Sequence, residues 1–152
     1  MKLLTGLLAL AFSLAILARP PAEAADPKYG KQKVVYHINY VGGPDSKRYR
    51  GALRNVQNHI NAIGVDNIEV RVVLHGRGVG LLMRAKKDQK LQQAVTSLKT
   101  QNVSFSVCNN TLVGGNLSYE DDLFEVFDDD IVPSGVAEVS YLQQQGFTYI
   151  KP

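Results

Sequence analysis

The sequence predicts an α/β fold with a mostly parallel sheet of about five strands. Two observations carry this. Short runs rich in Val, Ile, Tyr and Phe alternate with segments whose apolar residues recur every three or four positions. The joints between them hold Gly, Pro, Asn and Asp, as turns require.

The elements follow in order. Residues 33–39, "KVVYHIN", are β-branched and aromatic and read as a first strand. The Gly-Gly-Pro-Asp cluster of 40–46 is a loop, with Asp45 or Ser46 placed to cap the next helix. Leu53, Val56, Ile60 and Ile63 form one face of that helix, and Gly64 closes it. His59 sits at the border of this face and reads as a surface or interface residue. Residues 68–76 are the second strand. The stretch 77–102 holds one or two helices with Leu91, Val95 and Leu98 as a core stripe. "VSFSVC" (103–108) is the third strand. A connection with two short helical turns leads to a short fourth strand at "DIVPSG". Ser134 caps a last helix whose apolar face is Val136, Val139 and Leu142; Gly146 closes it, and "FTYIKP" is the last strand.

The N-terminus reads differently. Lys2, an apolar stretch from Leu3 to Leu17 and the small-x-small site Ala22-Glu23-Ala24 form the pattern of a secretory signal peptide over 1–24. The apolar run falls short of the roughly 20 residues a spanning helix needs. Residues 25–32 are a flexible lead-in, and 33–152 form one domain. The expected location is periplasmic or secreted, with no membrane contact after cleavage. The whole chain carries a net charge of +3, and no dense basic stripe with interleaved aromatics appears. That excludes a nucleic-acid partner. Asn102, Asn109 and Asn116 each begin an Asn-x-Ser/Thr triplet, a glycan acceptor in a eukaryotic secreted protein.

In an open parallel sheet, ligands bind beyond the carboxyl ends of the strands. Those ends carry His37, then His75-Gly76, then Cys108-Asn109-Asn110, then Pro133-Ser134-Gly135. The strand pattern thus brings two of three histidines and the only cysteine to one edge. Cys108 lies on the strand face opposite Val103, Phe105 and Val107. Two readings stay open for it. Free cysteines are commonly buried and inert. A thiol just before a helical turn is also well placed to ionise. Asn109, Asn110 and Thr111 would supply hydrogen-bond donors, and His75 would orient or deprotonate the thiol. Arg77, with the glycines Gly76 and Gly78, would attract an anion, or the glycines serve tight strand-to-helix packing; His37 would line the pocket. No metal-ligand spacing, EF-hand pattern or serine-nucleophile elbow is present, so no metal or cofactor is expected.

The segments "VVYHIN", "RNVQNHINAIG", "VVLHGRGV", "FSVCNNTL" and "VPSGVAEVSYLQQQGFTYIKP" together resemble the DsrE/DsrF-like sulfur-relay family, in particular its exported bacterial branch. The resemblance covers almost the whole chain after the signal. It implies a three-layer α/β/α sandwich that assembles into homo-oligomers, trimers or hexamers. It also implies that Cys108 accepts sulfane sulfur as a persulfide and passes it on. The partners implied are a sulfane-sulfur donor and an acceptor thiol. The rival reading is a non-catalytic oligomeric binding module in which Cys108 is structural or lines a ligand pocket.

Overall fold

A computed structural model describes residues 28–152 of the chain. The signal-peptide pattern of 1–24 and the start of the lead-in lie outside the described residues. Strand β1 is Gln32–Ile38, opening one residue earlier than the sequence pattern suggests. Helix α1 (Lys47–Ile63) follows, then β2 (Ile68–Leu74), a 3-10 turn at Gly76–Val79, α2 (Gly80–Ala85) and α3 (Gln89–Lys99). Strand β3 (Ser104–Cys108) runs directly into α4 (Asn109–Gly115). The short helix α5 (Tyr119–Asp122) and a 3-10 turn at Asp128–Asp130 lead to β4 (Ile131–Val132). Helix α6 (Gly135–Gln144) and β5 (Thr148–Ile150) complete the chain.

The five strands form one sheet in the order β4-β3-β2-β1-β5, and every pairing is parallel. Helices cover both faces, but unequally. Val34, Tyr36 and Ile38 of β1, Val70, Val72 and Leu74 of β2, and Phe105 and Val107 of β3 belong to one large core. Tyr49, Leu53, Val56, Ile60, Leu91, Val95 and Leu98 from α1 and α3 close over them. The opposite face has a core of only Val35, Val73, Val139, Leu142 and Phe147. The two faces follow from strand alternation, since successive side chains point to opposite sides.

Several local expectations meet the structure directly. Gly64, at φ +85°, ends α1, its N–H donating to the Ile60 carbonyl. Gly146, at φ +88°, donates to Gln143 O while Phe147 N donates to Leu142 O. This is a Schellman closure, with Phe147 packed on Leu142 in the smaller core. The Ser134 hydroxyl accepts from Ala137 N at 3.4 Å.

Three expectations need correction. Ser46 stands before α1 but makes no side-chain cap; its φ is +56° and its hydroxyl accepts from Arg84 at 3.3 Å. Val136 is 65% exposed. The stripe that α6 lays on the sheet is Gly135, Val139 and Leu142. A glycine takes its first position because the helix start approaches β2 and β3 too closely for a side chain. His59 is tied down through both ring nitrogens, Nδ1 to Tyr36 Oη at 3.0 Å and Nε2 to Gln32 Oε1 at 2.8 Å. It is a structural link between α1 and β1.

Candidate functional site

β3 is an interior strand of the sheet. Its last residue, Cys108, pairs in register with Val132 of β4 and stands at the N-cap position of α4. Alternation places Ser104, Ser106 and Cys108 on the face that α6 covers. Cys108 is 5% exposed. The sequence convergence is present: His37 and His75 stack at this same edge, ring centroids 4.7 Å apart and planes 25° apart.

Gly135 joins this pair to the cysteine. A Cβ placed on Gly135 would lie 2.8 Å from the Cβ of His75 and 3.2 Å from that of Cys108. The first residue of α6 is thus wedged between the two side chains, and no larger residue fits without moving it. This closeness brings the Gly135 amide to the sulfur. Nothing in the sequence marks that role. A glycine between a capping serine and a helix reads as a helix start, and only the packing of the β4–α6 turn onto β3 reveals its contact.

Burial by itself pushes the Cys108 thiol up. The Thr111 hydroxyl and the amides of Gly135, Thr111 and Asn110 oppose this, and the net result lies below the usual thiol range. The side chain of Cys108 accepts no capping hydrogen bond in the resting structure. A neutral thiol is a weak acceptor; the same donors gain strength when the sulfur carries charge. The Asn110 amide is shared, making a long 3.4 Å bond to the Pro133 carbonyl. Thr111 is itself positioned. Gly76 N donates to Thr111 Oγ1 at 2.8 Å, so the hydroxyl proton is left to point elsewhere, and the sulfur is the acceptor beside it. Gly76 holds φ +50°, a left-handed conformation that favours glycine.

The remaining sequence candidates divide. Asn109 begins α4 and is exposed. Gly78 is buried, and a Cβ there would meet the Ile38 carbonyl at 1.8 Å, so this glycine lets the turn press on the end of β1. The Arg77 carbonyl accepts from Tyr49 Oη at 2.6 Å, while its side chain is exposed. His75 makes no side-chain hydrogen bond among the described residues, and its Nε2 is buried. His37 is 9% exposed; Nδ1 bonds Tyr149 Oη at 2.9 Å and Nε2 is buried without a partner. Burial, then His75, then Lys151 lower the His37 pKa to about 4. Burial and then Lys151 lower that of His75. Both imidazoles are therefore held toward the neutral form. Tyr149 and Lys151 belong to this edge through the pairing of β5 with β1, which local sequence does not announce.

Among the described residues no group of three or more His, Cys, Asp or Glu side chains is arranged to hold a metal ion. No described helix is long and apolar enough to cross a membrane. The edge therefore presents a single sulfur whose pKa is held below the ordinary thiol value by donors that the fold fixes.

Comparison with known proteins agrees with this architecture. Residues 33–152 match the DsrE/DsrF-like family. The chain is similar to MTH1491 from Methanobacterium thermoautotrophicum, a protein of unknown function, with 32% identity and a TM-score of 0.67. That likeness covers 80% of this chain and 100% of the other. It is also similar in fold to the ychN protein of E. coli, with 19% identity and a TM-score of 0.60 over 80% of this chain and 99% of that one. No curated protein matches it. With the match running from β1 to the last residue, the chain belongs to the DsrE/DsrF-like family.

Proposed function

We propose that this protein is an exported sulfur carrier that holds sulfane sulfur as a persulfide on Cys108. One observation carries the reading. A cysteine with only 5% exposure has its sulfur beside the Thr111 hydroxyl and three backbone amides, which hold its pKa below the ordinary thiol value despite burial. A purely structural cysteine gains nothing from such donors, because a neutral thiol scarcely uses them. Membership in a sulfur-relay family supplies the matching chemistry.

The loading step is a displacement at sulfur. The Cys108 thiolate attacks the outer sulfur of an inorganic polysulfide, or the sulfane sulfur of thiosulfate. A new S–S bond forms at Cys108 while the donor's own S–S or S–SO3 bond breaks. The donor leaves as a polysulfide one sulfur shorter, or as sulfite, carrying the electron pair. An acceptor thiol later takes the added sulfur. His75, lacking a bond to the thiol, serves with His37 as lining beside Cys108 at this strand edge. Arg77, exposed beside the Gly76–Gly78 turn, draws the anionic donor.

The signal-peptide pattern supports export, and the family resemblance supports assembly into a homotrimer or homohexamer. Cleavage before residue 26 in protein recovered from the cell envelope tests the first. Light scattering on the purified protein tests the second.

The low exposure of Cys108 also favours a second reading, a binding module with a structural cysteine. Intact mass separates the two. After incubation with polysulfide and desalting, the carrier gains one sulfur, about 32 Da, per chain. Cys108→Ser gains none. Absence of the adduct, or the same adduct on the serine variant, would favour the binding module.

A further inference from the structure

The near-complete burial of Cys108 has a chemical meaning once a second sulfur is attached. A persulfide offers two sulfur atoms to an attacking thiolate, and the products differ. Attack on the outer sulfur breaks the bond to Cys108: R–S⁻ + Cys108–S–SH gives R–S–SH + Cys108–S⁻. Attack on the inner sulfur expels hydrosulfide: R–S⁻ + Cys108–S–SH gives Cys108–S–S–R + HS⁻. Only the first delivers sulfur and restores the carrier. The second loses the cargo and caps the thiol. Exchange rates at sulfur depend on which atom is reached as well as on thiol acidity.

We propose that the packing around Cys108 makes sulfur delivery regiospecific: Sγ is closed to attacking thiols and to bulky disulfides, so only the added outer sulfur is exchanged. The inference rests on the persulfide reading of Cys108. Three features enclose the residue. Gly135 fits so tightly between Cys108 and His75 that a methyl group would overlap His75 and crowd Cys108. Val132 of β4 sits in register beside it, and α4 begins at the next residue. The stacked His75 and His37 rings fill the same edge. Cys108 as a whole retains 5% exposure, a narrow approach suited to one small atom in line and too little for a substituted disulfide. The outer sulfur, held about 2 Å further along its bond, lies beyond the residue that these features enclose. The same shielding protects the empty carrier. A lone thiol outside the cytoplasm faces disulfides that would cap it, and this one is reached only by donors as slender as a sulfur chain or thiosulfate.

Intact mass spectrometry tests this on the wild-type protein. The chain is loaded with inorganic polysulfide, desalted and exposed to glutathione. In parallel, unloaded protein is exposed to 5,5′-dithiobis(2-nitrobenzoate), natively and in denaturant, with Cys108→Ser as the blank. The expected result is return of loaded protein to its bare mass, with any glutathione mixed disulfide at least about tenfold less abundant than bare protein. The bulky disulfide should react about 100-fold more slowly with native than with denatured protein. Loading followed by abundant mixed disulfide, or capping of the native thiol as fast as the denatured one, would overturn the inference while leaving the carrier standing. A native protein that gains no sulfur at all overturns both.

Discussion

The two faces of the sheet are built from the same three central strands and differ in almost everything else. Toward α1 and α3, the strands present Val34, Tyr36, Ile38, Val70, Val72, Leu74, Phe105 and Val107, all buried. Toward α6 they present Lys33, Val35, His37, Glu69, Arg71, Val73, His75, Ser104, Ser106 and Cys108 by alternation. Only Val35 and Val73 of these join an apolar cluster. The first face supplies the hydrophobic burial that drives folding. The second carries His37, His75 and Cys108 of the candidate site. Its exposed Lys33–Glu69 and Arg71–Glu69 pairs contribute little to stability. A large core on one side leaves the other free to hold the histidine pair and a sulfur whose pKa is lowered.

That division can be broken most forcefully on the apolar face. Phe105→Ala should cost about 3–5 kcal/mol in a denaturant melt. Ser106→Ala, one position along on the other face, should cost less than about 1 kcal/mol. Comparable losses at both positions would erase the distinction.

The next largest effect belongs to the histidine edge. His37 has a folded pKa of about 4 against an ordinary value near 6.5. Between these values the unfolded chain binds the proton and the folded chain does not. Stability from this group is therefore present above pH 6.5 and lost as pH falls through 4. The loss should reach about 3 kcal/mol, with His75 adding in the same direction. Melts from pH 7 to pH 4 check this, and His37→Gln should flatten the curve. A wild-type curve already flat across that window would contradict the buried neutral imidazole.

Two substitutions sharpen the polar face without touching the apolar one. Gly135→Ala should destabilise by about 1–3 kcal/mol, since its Cβ would overlap His75 and crowd Cys108. It should also raise the thiol pKa by drawing the Gly135 amide away. Thr111→Val removes the hydroxyl donor, and thiolate-dependent alkylation of Cys108 by a small reagent at pH 7 should slow about tenfold. Thr111→Ser should stay near wild type, because it keeps the oxygen that accepts from Gly76. Equal slowing by serine would mean that the hydroxyl is not the active part.

The sequence made much of this arrangement legible. Strand and helix order follows from hydrophobic period, and the alternation of Val103, Phe105 and Val107 against Ser104, Ser106 and Cys108 already separated the two faces. Cys108, His37 and His75 could be placed at one edge because strand ends in a parallel sheet share a side. Three features escaped. Gly135 acts through a contact between a turn and a strand twenty-seven residues apart, which no local pattern encodes. The stacking of His37 on His75 depends on register: His37 pairs with Val73, leaving His75 one step diagonal. Val136 looked apolar and periodic, yet the first contact position of α6 had to be a glycine. In each case tertiary approach decided what residue type alone could not.

The most direct test of the account is the ionisation of Cys108 itself. Thiolate absorbance near 240 nm, followed across pH 5 to 10 with Cys108→Ser subtracted, reports it without any assumption about donor or acceptor. The expected midpoint lies below the ordinary cysteine value of about 8.5. A midpoint at or above that value would show that burial outweighs the Thr111 hydroxyl and the surrounding amides, and would contradict a site built to hold charged sulfur.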